Sequence, residues 1–101
     1  MNLTQLSKDA YRIAQIRNQV KQTDSVVSSV KYLAGEMIEL TEAASENFVN
    51  PTSTHLNHLS EELADVIICT CSIAAQCGVD IEKAVSDKMI KNLDRAYKTV
   101  K

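Results

Sequence analysis

Residues that make tight turns are scarce in this chain. Two glycines and one proline occur among its 101 residues, whereas a β-sheet protein of similar length uses many turns rich in Gly, Pro, Asn and Asp. The sequence has no Trp and a single Phe, so aliphatic side chains must form most of the core, which suits helix packing. These features predict an all-α fold, and the length predicts a single domain over residues 1–101.

Apolar residues recur at helical spacing in four segments. The predicted helices cover residues 3–21, 26–48, 55–76 and 81 to nearly the C-terminus. The stretch Thr23-Asp24-Ser25 is predicted to cap the start of the second helix. Asp80 is the predicted N-cap of the fourth helix, and Gly78 is predicted to end the third helix in the left-handed conformation. Short connections favour antiparallel neighbours, so we expect a small antiparallel four-helix bundle that oligomerisation completes.

The charge balance argues against a strongly charged partner. Eleven basic and thirteen acidic residues give a net charge of −2, so no strong field attracts nucleic acid or an anionic membrane surface. The N-terminal residues lack the apolar stretch of a signal peptide, and no apolar run is long enough to span a bilayer. We therefore expect a cytoplasmic protein with neither a nucleic-acid nor a membrane partner.

Two of the predicted helices carry an acid pair in the same position. Glu36 and Glu39 are spaced i and i+3 on the second helix, as are Glu62 and Asp65 on the third. At about 100° per residue, Glu36 and Glu62 border the apolar stripes, and the second acid of each pair lies about 60° further round. Packing the two stripes together is therefore predicted to bring all four carboxylates together.

Such a cluster needs a compensating charge. Two carboxylates about 5 Å apart repel by roughly 3 kcal/mol at an effective dielectric near 20. Protonation relieves part of this repulsion, but Mg²⁺ binds a few carboxylates and leaves positions for water and phosphate. We predict a catalytic Mg²⁺ site with Glu36, Glu39, Glu62 and Asp65 as both metal ligands and catalytic residues. The alternative is that the four acids are solvated boundary residues, because structural charge networks imitate sites.

A polar stripe on the fourth helix offers groups that bind phosphate. Lys88, Asn92 and Arg95 are spaced i, i+4 and i+7 beside the apolar stripe, and their side chains suit hydrogen bonds to phosphate oxygens. They are the predicted phosphate-binding residues. The alternative is a solvated basic face on an exposed terminal helix.

Three stretches of the sequence resemble a known family. GEMIELTEA, EELADVII and EKAVSDKMIKNLDR look like the MazG-like, all-α nucleoside triphosphate pyrophosphohydrolases, over about residues 27–95. The family's ExxE pair is matched by Glu36 and Glu39, and its ExxD pair by Glu62 and Asp65. Its Lys and Asn on the following helix are matched by Lys88 and Asn92.

The resemblance implies a function and an assembly. It implies Mg²⁺-dependent cleavage of a nucleoside triphosphate between the α and β phosphates, giving a nucleoside or deoxynucleoside monophosphate and pyrophosphate. It also implies a homo-oligomer, either a dimer or a tetramer. Many relatives have an acid directly before the first motif and an aromatic residue near the start of the second helix, where this chain has Gly35 and Val26. The base preference is therefore unassigned, and Tyr11, Phe48 and Tyr97 are predicted to be packing residues.

Two other interpretations are weaker. A di-iron carboxylate bundle needs Glu-x-x-His on two helices, but His55 and His58 precede Glu62, and no His follows Glu36 or Glu62 at that offset. Both histidines are predicted to be surface or helix-start residues. The main alternative is a non-catalytic helical module that dimerises or binds a partner helix through its apolar faces.

Overall fold

The computed structural model describes residues 2–21 and 24–99 and contains four helices in this part of the chain. They are α1 Leu3–Ile16, α2 Val26–Val49, α3 Ser53–Gln76 and α4 Ile81–Thr99. Residues 2–21 and 24–99 contain no β-strand. The predicted all-α, four-helix fold is confirmed.

A side chain caps the start of every helix. The cap oxygen accepts a hydrogen bond from the backbone N–H three residues later, which satisfies one of the N–H groups that a helix start leaves unpaired. The four caps are Asn2 to Gln5 at 2.8 Å, Ser25 to Ser28 at 3.2 Å, Thr52 to His55 at 3.0 Å, and Asp80 to Lys83 at 3.1 Å. Asp80 is the cap that was predicted, and within the predicted capping stretch Thr23-Asp24-Ser25 the cap is Ser25. Because Thr52 caps α3, that helix starts at Ser53, two residues earlier than predicted.

The first helix ends earlier than its apolar pattern predicted. It stops at Ile16 instead of Lys21, because Asn18 adopts the left-handed conformation with φ 58°. The Gln19 N–H then donates to the carbonyl of Ala14 at 2.9 Å, a pattern that closes a helix C-terminus and that Asn tolerates better than most residues. The prediction for this boundary was wrong because only glycine was treated as a stop signal.

The third helix is the centre of the fold. It packs against α2 on one side and α1 on the other. Its C-terminal Gln76 accepts from the Ser29 hydroxyl at 2.5 Å and donates to the Asp24 carbonyl at 3.0 Å, which ties the end of α3 to the start of α2. The two helices are therefore antiparallel. Gly78, with φ 73°, follows the end of α3 as predicted.

The fourth helix is bent sharply from α3 and packs against α1. Its axis is bent by 112° from that of α3, and its main contacts are with α1, including a 3.5 Å hydrogen bond from the Thr4 hydroxyl to Glu82. Among the described residues, no single helix is both long and apolar enough to cross a membrane; the bent α3–α4 pair passes that test by length and composition alone.

The core of one protomer is small. Its buried residues are Ser7, Ala10, Val20, Ala43, Cys71 and Ala74, and no large side chain in the described part is fully buried. Phe48 and Tyr97, predicted to be packing residues, are 88% and 70% exposed, so that prediction is wrong within a single protomer. The Tyr11 side chain is half-buried.

The protomer is also more extended than a compact domain of its size. Its radius of gyration is 16.1 Å, against about 13 Å expected for 100 residues. Its accessible surface is 7538 Å², whereas the usual scaling for an 11.2 kDa monomer gives about 5,700 Å². In addition, each of the four helices exposes large hydrophobic side chains.

Candidate metal and nucleotide site

Three of the predicted acids converge between α2 and α3. One carboxylate oxygen from each of Glu36, Glu62 and Asp65 lies within 4.8 Å of the oxygens from the other two. Glu62 and Asp65 are neighbours on one face of α3 because they are three residues apart. The antiparallel packing of α2 then brings Glu36 alongside them. The four carboxylates were predicted to lie together, and three of them, those of Glu36, Glu62 and Asp65, do so.

Two of these carboxylates present a buried oxygen that has no hydrogen-bond partner. The side chain of Glu62 is 13% exposed, and Glu36 is partly buried. The Oε2 atoms of Glu36 and Glu62 are both shielded from solvent and form no hydrogen bond with any described residue. Burying such an atom unpaired is costly. A hard divalent cation would satisfy both atoms, and oxygen donors in this number suit Mg²⁺.

The electrostatics of Glu36 reflect the same crowding. Burial raises the pKa of Glu36, the negative charges of Glu39 and Asp65 raise it further, and hydrogen bonding with Tyr32 opposes the rise. Burial also raises the pKa of the Cys69 thiol, and the charges of Glu36 and Asp65 add to that effect. Negative charges therefore face each other at Glu36, and no cationic side chain is among the causes of the two pKa shifts.

Glu39 stands apart from the three converging acids. Its side chain is exposed, and it is not one of the residues whose oxygens meet within 4.8 Å. It is still close enough to Glu36 for its charge and hydrogen bonding to raise the pKa of Glu36. Asp65 has the same i+3 spacing from Glu62 and does converge, so the spacing alone does not account for the position of Glu39.

A cavity of about 200 Å³ opens beside the acids. Glu36 and Asp65 form part of its wall, and α1, α2, α3 and the segment after α1 supply the rest. The lining consists of Ala10, Ile13, Ala14, Arg17, Gln19, Val20, Ser29, Tyr32, Glu36, Asp65, Ile68, Cys69 and Ser72. The Gln19 amide donates to the Tyr32 hydroxyl at 3.3 Å across this lining. Sequence reasoning missed the contribution of α1, because nothing in its sequence reports which helix it packs against.

His58 is a second feature that sequence reasoning missed. Its Nε2 atom lies 3.3 Å from Oε1 of Glu62, and its Nδ1 atom lies 3.6 Å from Oε2 of Glu46. The ring therefore links α3 to α2 beside the acid cluster. His55, by contrast, is the helix-start residue that was predicted, and its Nδ1 contacts the Asn50 carbonyl at 2.7 Å.

A comparison with known families agrees with this geometry. The family model for the MazG nucleotide pyrophosphohydrolase domain matches residues 24–100. The chain belongs to the MazG family. No curated protein and no solved structure gives a significant match. The MazG match spans α2, α3 and α4 and includes all four predicted acids, whereas α1, which lines the cavity, precedes it.

The predicted phosphate-binding residues of this MazG chain lie on α4. Lys88, Asn92 and Arg95 are all exposed, and none of them lines the cavity. Among described residues, Lys88 and Asn92 form no hydrogen bond or ion pair with the acids. The main helix contacts of α4 are with α1.

The raised pKa of Glu36 predicts a pH dependence for the metal-free MazG protein. Because the pKa of Glu36 in the folded state is raised from its ordinary value of 4.5, the folded state binds more protons than the unfolded state at pH values above 4.5. The free energy of unfolding therefore falls as pH rises through the raised pKa. We expect the urea midpoint in EDTA to fall over this range and Glu36→Gln to flatten the fall. The exposed acid Glu42 provides the control, since Glu42→Gln should keep the wild-type slope. Equal slopes in all three proteins would contradict this prediction.

Proposed function

We propose that this MazG protein is a Mg²⁺-dependent nucleoside triphosphate pyrophosphohydrolase. It cleaves between the α and β phosphates and gives a nucleoside or deoxynucleoside monophosphate and pyrophosphate. One observation carries the proposal: in a chain of this family, three carboxylates from two helices meet within 4.8 Å and two of them present buried, unpaired oxygens. Mg²⁺ fits because its usual sites use a few carboxylates and keep positions for water and phosphate.

The acids divide into two roles in this proposal. Glu36, Glu62 and Asp65 hold the metal, which when bound lowers the pKa of water and neutralises charge on phosphate oxygens. Glu39, whose side chain is exposed, completes the set, and in this proposal its carboxylate would accept a proton from the attacking water. The exposed location of Glu39 supports this division, because a base has to reach water that enters from solvent.

The cavity is the proposed site of the base. The cavity shares Glu36 and Asp65 with the acid cluster. A nucleotide whose triphosphate binds at the acids would therefore have its nucleoside next to the cavity. A volume of about 200 Å³ is below the roughly 300–1,000 Å³ of pockets for drug-sized ligands, which suits one ring system better than a whole nucleotide. Ile13 and Ile68 offer apolar contact, and Gln19 and Arg17 offer polar groups for its edge.

Filling this cavity should weaken nucleotide binding selectively. We expect Ala14→Leu to raise KM and to lower kcat/KM by about 10- to 100-fold, roughly 1.4–2.7 kcal/mol, because the added side chain occupies the space of the base. Mg²⁺ binding should be unchanged. The matched control is Ala64→Leu, at an exposed position of α3 outside the cavity. Steady-state kinetics on both variants check this, and an unchanged KM in Ala14→Leu would remove the cavity from the proposal.

A homo-oligomer completes the proposed site. One protomer has about 1,800 Å² more surface than a compact monomer, and homodimers with obligate interfaces bury roughly 2,000–5,000 Å² in total, mostly apolar. The apolar face of α4 consists of Val85, Met89, Ile90, Leu93 and Tyr97. A second open apolar groove on α2 is lined by Leu40, Thr41, Ala44, Ser45, Phe48 and Val49. We propose that a second copy covers these faces and that its α4 carries Lys88, Asn92 and Arg95 toward the phosphates.

The products of the reaction test the proposed function directly. The purified protein is incubated with the common NTPs and dNTPs, with Mg²⁺ or with EDTA, and the released phosphates are identified by ³¹P NMR. We expect a mononucleotide and pyrophosphate in Mg²⁺ and no turnover in EDTA. Orthophosphate as the product, or no product with any nucleotide, would overturn the proposal. A non-catalytic helical module would associate normally and be indifferent to Mg²⁺, but no observation favours it.

A further inference from the structure

His58 contacts one oxygen of Glu62, a proposed metal ligand. Glu62 has one oxygen, Oε1, at 3.3 Å from His58 Nε2, while its other oxygen, Oε2, is the buried atom without a partner. The two oxygens of this carboxylate therefore face different surroundings. One belongs to a contact within the protein, and the other is available to a ligand.

The histidine ring is itself held in place by a second helix. His58 is one helical turn before Glu62 on α3, and its Nδ1 atom lies 3.6 Å from Oε2 of Glu46 on α2. Each ring nitrogen thus has its own carboxylate, and the two carboxylates come from different helices. The side chains of His58 and Glu46 are 45% and 53% exposed, so the ring lies at the surface, as predicted, where the two helices that carry the acids meet.

We propose that His58 is a positioning residue, which holds Oε1 of Glu62 so that Oε2 faces the metal together with Glu36 and Asp65, while Glu46 fixes the ring. This inference rests on the proposed metal site and adds a residue to it. Removing a residue that hydrogen-bonds to a metal ligand and orients it typically lowers metal affinity or activity 10- to 100-fold. His58 does not touch substrate in this arrangement.

The experiment measures metal binding in the absence of nucleotide. Mn²⁺ binding, followed by the EPR signal of the free ion, and Mg²⁺ binding by calorimetry are compared for wild type, His58→Ala, His58→Gln and Glu46→Gln. We expect His58→Ala to weaken both metals 10- to 100-fold. His58→Gln should recover part of the loss, because its amide can still donate to Glu62. Glu46→Gln should give a smaller loss, and His55→Ala, which removes the other histidine, should leave the affinity unchanged.

Activity then separates this inference from the proposed function. In hydrolysis assays, His58→Ala should need 10- to 100-fold more Mg²⁺ for half-maximal rate and should regain most of the wild-type kcat at saturating Mg²⁺. Wild-type metal affinity in a folded His58→Ala, or equal losses in His58→Ala and His58→Gln, would overturn the positioning role; so would a wild-type protein that binds neither metal. A wild type that binds Mg²⁺ without releasing pyrophosphate would refute the proposed function alone, and the binding series would still decide the role of His58.

Discussion

Glu62→Gln and Asp65→Asn should each lower kcat/KM by at least about 10²–10³-fold, roughly 3–4 kcal/mol, while the protein stays folded. Both substitutions keep the size of the side chain and remove one negative charge from the group of oxygens that meet within 4.8 Å. The charge that would hold the cation is then reduced, and an amide nitrogen competes with the remaining donors. The measurement is steady-state kinetics with the best nucleotide of the product assay.

Stability should change in the opposite direction to activity. Removing one carboxylate relieves repulsion that is roughly 3 kcal/mol for a pair about 5 Å apart at an effective dielectric near 20. Asp65 is exposed, so solvent screening reduces the gain to about 1 kcal/mol, which corresponds to about 4–8 °C in Tm for a domain of this size. We expect this rise in EDTA. In Mg²⁺, the wild type should gain Tm by binding the ion, and the variants should gain little.

The control for these variants is a neighbouring acid outside the cluster. Glu61 is adjacent to Glu62 in the sequence and is exposed, so Glu61→Gln should keep wild-type kinetics and the Mg²⁺-dependent rise in Tm. Unfolding of both Glu62→Gln and Asp65→Asn in EDTA would indicate that the carboxylates stabilise the fold. Full activity in both variants would exclude them as metal ligands.

The helices were predictable because their signals are local. A 3.6-residue apolar period and a capping side chain act within one or two turns, so Asp80 and Gly78 could be assigned from the sequence alone, and the cap of α2 could be narrowed to a three-residue stretch. The end of α1 was missed for a local reason as well, since Asn18 takes the left-handed conformation in which glycine is commoner. The direction of α4 was not predictable, because it depends on contacts that no periodicity encodes.

The candidate site was predictable only where it depends on helix geometry. The i, i+3 spacing places Glu62 beside Asp65 on any helix, and pairing two acidic edges brought Glu36 to them. The link from His58 to Glu46 joins residues on different helices, and the cavity needs α1 at a specific position on α3. Both features follow from tertiary packing, so spacing within one helix carried no information about them.

Leu93→Asp should convert the proposed oligomer into a monomer at micromolar concentration. Leu93 lies in the apolar face of α4 and is 56% exposed in one protomer, and a carboxylate buried there in an interface without a partner is costly. We expect the dissociation constant to rise at least about 100-fold, ~2.7 kcal/mol. Sedimentation velocity over a range of protein concentrations measures it. Lys91→Asp adds the same residue to α4 outside this apolar face and should leave the assembly intact.

The activity of this variant tests whether assembly and site are linked. Lys88 and Asn92 form no contact with the acids among the described residues of one protomer, so in the proposed site they act only after a second copy brings its α4 to the cavity. If so, specific activity should rise with protein concentration and reach half its maximum at the dissociation constant of the oligomer, because mass action controls both. Leu93→Asp should shift both curves to higher concentration by the same factor. A monomeric Leu93→Asp with wild-type specific activity would show that each protomer is sufficient, and a second copy would then not be needed to supply Lys88 and Asn92.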